Sequence, residues 1–94
     1  MRIRHIIWLS EFEEKLFQKH NVLAEEVEEV LFDKPHIRFV EKGHYESEDL
    51  YAAYGRTSGG RWLIIFFVLK NKHEALVISA RNMDRKERHL YARR

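Results

Sequence analysis

The 94-residue chain predicts an α+β fold, with two N-terminal helices packed on an antiparallel β-meander and a short C-terminal helix to finish. Three observations carry that reading. Apolar residues in the first third recur at spacings of three and four. The period turns strand-like after Pro35. Two turns, Ser58-Gly59-Gly60 and Lys70-Asn71-Lys72-His73, then divide the apolar stretch from Leu50 to Ala80. This length fills one core and not two, so residues 1–94 are read as a single domain. With 45% hydrophobic and 34% charged residues, one proline and four glycines, disordered and collagen-like chains are excluded.

The elements follow in order. Ile3 to Trp8 reads as a short first strand. Ser10-Glu11-Phe12-Glu13 has the form of a capping box, with the Ser10 hydroxyl on the Glu13 amide and Glu13 reaching back. Phe12, Leu16 and Phe17 then form a narrow apolar stripe, and Asn21 can take the left-handed turn that stops the helix. A second helix starts near Leu23, with Leu23, Val27, Val30 and Leu31 on one face, and Pro35 closes it. His36 to Val40 alternates as a strand, followed by a polar, acidic loop from Gly43 to Asp49. Leu50–Arg56, Trp62–Leu69 and Ala75–Ala80 are the three meander strands. Asp84-Arg85-Lys86-Glu87 repeats the capping-box pattern and opens a short helix carrying Leu90 and Tyr91.

Several chemistries drop out. Without cysteine there is no disulfide scaffold, thiolate zinc site or cysteine nucleophile, and a reducing compartment is favoured. The six histidines form no HExxH and no pair at i, i+4 beside a carboxylate, so neither a metal nor another cofactor is expected. Each histidine alone reads as a surface or turn residue. Tyr45, Tyr51, Tyr54 and Tyr91 can stack on bases or simply pack. The longest apolar run, Trp62 to Leu69, is too short to span a membrane, and Met1 to Trp8 lacks the apolar region of a signal peptide. A cytoplasmic location is expected.

The charge is polarised. Residues 11–33 hold eight acids against Lys15 and Lys19, whereas residues 61–94 hold nine Lys and Arg against three acids. A basic face of this kind attracts polyanions, although scattered solvated charges would give the same count. The hairpins sharpen the picture. Arg56 ends the first meander strand, Arg61 precedes the second and Arg81 follows the third, so all three meet at one end of the sheet. That end adjoins the first turn of the last helix, with Arg85, Lys86 and Arg88 behind it. Converging guanidiniums beside free helix amides would make a phosphate site. Strand-end arginines can equally pair with the acidic helices. Which face each side chain takes is open, because a one-residue slip in register reverses it.

The ordered motifs resemble a known family. Trp8 ahead of a capped helix, Lys19-His20 at its end and Val30-Leu31-Phe32-Asp33 closing the second helix are similar to the first half of the BrnT toxins. Gly55-Arg56, Gly60-Arg61 before an apolar strand, and Ile78-Ser79-Ala80-Arg81 followed by Glu87 and Tyr91 resemble the second half. The chain departs from the family pattern at Asn21, where members carry glycine, and at Leu9-Ser10 after the tryptophan. The resemblance implies a RelE-like ribonuclease toxin of a type II toxin–antitoxin system. Such a protein acts on RNA without a metal and is silenced by a cognate antitoxin, typically a ribbon-helix-helix DNA-binding protein.

Cutting RNA in this way needs a base for the 2′-hydroxyl, cations for the phosphoryl oxygens and an acid for the leaving 5′-oxygen. Arg56, Arg61 and Arg81 are the expected charge stabilisers. The resemblance adds His20, Glu87 and Tyr91 as catalytic candidates, and Lys19 alongside Arg85, Lys86 and Arg88 as RNA contacts. A non-catalytic module that binds nucleic acid or a partner on the same fold is the alternative.

Overall fold

Strand alternation sorts residues 50–82 onto two faces, and each face finds a different helical cover. A computed structural model describes residues 1–46 and 48–92. Ser47 of the acidic loop, and Arg93 and Arg94 of the basic third, lie outside the described residues. The elements are β1 (His5–Ile7), α1 (Ser10–His20), α2 (Ala24–Phe32), β2 (His36–Glu41), β3 (Leu50–Arg56), β4 (Trp62–Asn71), β5 (Glu74–Asn82) and α3 (Arg85–Ala92).

The expected meander is the centre of a larger sheet with the order β1-β5-β4-β3-β2. β2 adds antiparallel to β3. β1 adds parallel to β5, pairing His5 with Glu74 and Ile7 with Leu76, so the sheet is mixed rather than purely antiparallel. The amides of Arg4 and His5 both donate to the His73 carbonyl, which fixes the start of that parallel pair.

On one face, Ala53 of β3 and Leu63, Ile65 and Phe67 of β4 are buried against Leu16 of α1 and Val27, Val30 and Leu31 of α2. Each such aliphatic or aromatic burial contributes about 1.5–3 kcal/mol. The opposite face holds a smaller cluster of Ala52, Ile64 and Met83, flanked by Tyr54, Trp62, Phe66 and Tyr91, with α3 above it. β5 serves both faces through a bulge. Phe66 pairs with Ser79 and Phe67 with Val77, leaving Ile78 as the extra residue. Val77 and Ala80, three apart, therefore share the two-helix core, and Arg81 falls on the α3 face.

The helix ends differ in part from expectation. Leu9, not Ser10, is the N-cap residue of α1, with no side-chain cap, and its carbonyl accepts the Phe12 and Glu13 amides. Ser10 is already helical, so its hydroxyl does not cap. Phe17 is exposed, leaving Leu16 as the buried member of the predicted stripe. Asn21 does take the left-handed conformation, at φ 53°. Leu23 is the exposed N-cap of α2 rather than part of its buried face, and its amide donates to Glu26 Oε1 at 3.0 Å. α2 approaches β3 so closely that a Cβ on Gly55 would lie 2.7 Å from Val30 Cγ1. In the β3–β4 turn, Gly60 sits at φ +91° while the Thr57 amide donates to the Arg61 carbonyl and the Arg61 amide donates to Thr57 Oγ1.

Candidate active site

The α3 face carries a row of side chains that no single strand could assemble. The registers place His36 of β2, Tyr54 of β3, Ile64 of β4 and Arg81 of β5 side by side across four strands. At about 4.8 Å between strands the row is about 14 Å long. Toward the end of the sheet, the next row pairs Arg56 with Trp62, and the Arg56 guanidinium carbon stands 5.2 Å from the centre of the indole. In the other direction lie Arg38, Ala52, Phe66 and Ser79. α3 crosses above, with the Tyr91 ring edge-on to Trp62 at 5.5 Å. A pocket of about 110 Å³ opens beneath it, lined by His36, Arg38, Tyr54, Glu87, Leu90 and Tyr91.

Arg81 is locked into this face. Its two terminal nitrogens donate to the two Glu87 oxygens at 2.8 and 2.9 Å, and its guanidinium carbon lies 5.8 Å from the centre of the Phe66 ring. The hydrogen bonds from Arg81 outweigh partial burial and hold the Glu87 carboxyl down at about 2, while the same pair raises Arg81 further above its ordinary value. Glu87 is thus a permanent carboxylate that aims Arg81 and is too weak a base to collect protons near neutrality.

The predicted capping box at Asp84 is present. The Glu87 amide donates to Asp84 Oδ1 at 2.8 Å, and the Asp84 amide donates to Glu87 Oε1 at 2.9 Å. This corrects the expectation of an anion site at the start of α3, because two carboxylates already occupy that end of the helix. Cationic chemistry on this face belongs to side chains.

Arg56, Arg61 and Arg81 do share one end of the sheet, but they face different neighbours. Arg61 donates to Asn82 Oδ1 (2.9 Å), the Asn21 carbonyl (2.6 Å), Glu26 Oε1 (2.8 Å) and the His20 carbonyl (2.8 Å). Four of its roughly five N–H donors are engaged, so it ties the end of α1 and the start of α2 to the sheet. Here the acidic-helix pairing weighed for strand-end arginines is what occurs. His20 enters that cluster through its carbonyl. Lys19 beside it is exposed, as are Arg85, Lys86 and Arg88 on α3. Tyr91 is a wall of the pocket.

Sequence reasoning missed His36 and Arg38, which it left in a strand of unknown partner, and gave Tyr54 no role beyond stacking or packing. Their i, i+2 spacing in an alternating segment was the available signal, but only the β2–β3 register turns it toward Arg81. Among the described residues no three or more His, Asp or Glu side chains form a group suited to a metal ion. Among the same residues no helix is long and apolar enough to cross a membrane.

Comparison with curated proteins finds no match. Among solved structures, the 1.1 Å crystal structure of the Brucella abortus ribonuclease toxin BrnT is similar, with a TM-score of 0.61 and 19% sequence identity. The match covers 86% of this chain and 97% of that one, and it is a likeness of fold. Residues 8–87 match the family described as "Ribonuclease toxin, BrnT, of type II toxin-antitoxin system". The matched stretch runs from Trp8 to Glu87 and takes in all of the arginine row. With its fold and most of its length so accounted for, the chain belongs to the BrnT family of ribonuclease toxins of type II toxin–antitoxin systems.

Proposed function

We propose that the chain, acting as one domain, is a metal-independent endoribonuclease that cleaves RNA by attack of a 2′-hydroxyl on the adjacent phosphate. The observation that supports this reading is the α3 face, where the His36 imidazole and the Tyr54 phenol line one pocket and share a row with Arg81, while Arg56 stands in the next row. Arg81, aimed by Glu87, and Arg56, resting on Trp62, supply positive charge to the phosphoryl oxygens as the pentavalent transition state forms. His36 accepts the 2′-hydroxyl proton, the task for which an imidazole is suited near neutral pH. The 2′-oxygen–phosphorus bond forms and the phosphorus–5′-oxygen bond breaks. Tyr54, beside His36 in the same row, gives the leaving 5′-oxygen its proton. Water then restores both groups. The products are a 2′,3′-cyclic phosphate and a 5′-hydroxyl.

Other candidates take supporting parts. Arg61 positions the helix pair, Glu87 positions Arg81, and Tyr91 shapes the pocket. Lys19, His20, Arg85, Lys86 and Arg88 offer exposed contacts to flanking RNA. Membership of a type II family implies an antitoxin partner, and we assign it to the ribbon-helix-helix class.

The test is RNA cleavage by purified protein in EDTA. Wild type is expected to cleave, with Arg81→Ala slower by roughly a hundred- to thousand-fold, the loss of about 2.7–4 kcal/mol seen for a missing oxyanion donor. A folded Arg81→Ala variant that cleaves at the wild-type rate removes Arg81 from the chemistry. One observation favours a second reading, a phosphate-binding module that does not cleave: Arg61 and Arg81 are both already paired with carboxylates. Retention of intact RNA in a gel-shift assay would select it.

A further inference from the structure

The pocket under α3 has features that phosphate chemistry does not need. Two of its walls are the Tyr54 and Tyr91 rings. His36 leans on Tyr54 with ring centres 6.1 Å apart at 49°, and Leu90, 52% exposed, stands at the rim. A small cleft with aromatic and apolar walls, opening beside Arg81, suits a flat heterocycle. On an RNA chain that heterocycle is a base. Stacking against rings accepts every base, so any choice among them must come from the polar groups that share the pocket.

Beside His36, assigned to the 2′-hydroxyl, those groups are Arg38 and Glu87. Arg38 follows His36 by two residues and so shares its face. It is exposed and makes no ion pair or hydrogen bond among the described residues. Its planar fork of donors is free to meet two adjacent acceptors, and among the bases guanine presents such a pair in O6 and N7 and cytosine in N3 and O2. Glu87 adds the opposite polarity. Its Oε1 already accepts from both Arg81 and the Asp84 amide, whereas its Oε2 accepts from Arg81 alone. The spare lone pair on Oε2 suits a donor, and guanine carries N1–H and its exocyclic amine next to O6. Adenine puts an amine where guanine has O6, uracil separates its two carbonyls by N3–H, and cytosine sets one donor group beside its acceptors where guanine sets two, on a smaller ring with less area to stack.

We propose that this pocket holds a guanine, on the nucleotide whose 2′-hydroxyl attacks, so that cleavage falls on the 3′ side of guanosine. This rests on the ribonuclease reading and deepens it. With the base seated between the tyrosines, its ribose stands at His36 and its 3′-phosphate reaches Arg81 and Arg56.

Two measurements test the assignment. In the first, guanosine 3′-monophosphate is titrated against the adenosine, cytidine and uridine equivalents, followed by NMR of the tyrosine ring protons. Guanosine 3′-monophosphate is expected to bind about ten-fold or more tighter, as one bidentate base contact provides. In the second, the 3′ ends of RNA fragments are mapped. They are expected to finish in guanosine 2′,3′-cyclic phosphate. Arg38→Ala and Arg38→Gln, changes at an exposed strand position, are expected to abolish the preference while the unfolding midpoint is unchanged. Fragment ends spread over all four bases, or equal binding of the four nucleotides, would overturn the guanine pocket and leave the ribonuclease reading intact. Preferential guanosine binding without any cleavage would do the reverse. Neither cleavage nor binding would sink both.

Discussion

Glu87 and Arg61 are neutralised on opposite sides of the same sheet end, and their losses should read out differently. The Glu87 carboxyl is held at about 2 in the folded protein against 4.5 for a free side chain, chiefly by the Arg81 hydrogen bonds. A folded-state value that is depressed adds stability above pH 4.5 and loses it as the pH falls toward 2. Part of the pair is open to solvent, so the contribution is about 1 kcal/mol. Urea midpoints of wild type should therefore fall between those pH values more steeply than those of Glu87→Gln. Parallel curves would mean that the pair contributes nothing. Arg61→Ala instead removes the cation paired with Glu26 and the donor to two helix-end carbonyls. We expect a loss of about 2 kcal/mol in stability, measured by urea unfolding, with the residual cleavage rate of the folded fraction within a few-fold of wild type. A large rate loss at unchanged stability would return Arg61 to the chemistry.

At the level of elements, the close contact of α2 with β3 is the most sensitive joint. Gly55→Ala would push a methyl into Val30, and overpacking of this kind costs about 1–3 kcal/mol. Pairing it with Val30→Ala should recover part of the loss, and no recovery would mean that the glycine is needed for its backbone instead. The central hairpins were legible because turn chemistry is local: Gly60 supplies the positive φ of one, and β3 has the bounds its composition suggests. The α3 capping box was legible for the same reason. The cap at Ser10 was not, since Ser-x-x-Glu also fits a helix that starts one residue earlier. The faces of β5 were hidden too. The bulge at Ile78 changes the parity of the strand midway, and nothing in Val77-Ile78-Ser79 announces it. For the site, the common end of the three arginines followed from hairpin order, but their partners did not. Whether a guanidinium meets Glu26 or Glu87 depends on which face it leaves, and the contributions of His36 and Arg38 depend on a strand pairing across an eight-residue loop.

Across the whole molecule the charge divides with the layers. The acidic helices lie on the face of the sheet away from the arginine row, so the helical side is not where RNA is expected to sit. Glu25→Lys is the clean probe, being exposed. Glu29 is unsuitable because its carboxylate accepts the Ser58 amide and steadies the β3–β4 turn. RNA cleavage by Glu25→Lys should stay within a few-fold of wild type, and a change of about ten-fold or more in either direction would place RNA on the helices. The parallel pair at the sheet's far edge bears on how the molecule comes into being. β1 precedes its partner β5 with five elements between them, so closing this edge is a long-range pairing. Pairings so distant in sequence form late, after nearer contacts have met the entropy of loop closure. Ile6→Ala should therefore speed unfolding while barely slowing refolding, giving a φ-value near zero. On the ribosome, the first strand waits unpaired until residues 74–82 have emerged. The arginine row depends on that same final strand for Arg81, so the edge that completes the fold and the residue that arms the surface arrive in one event.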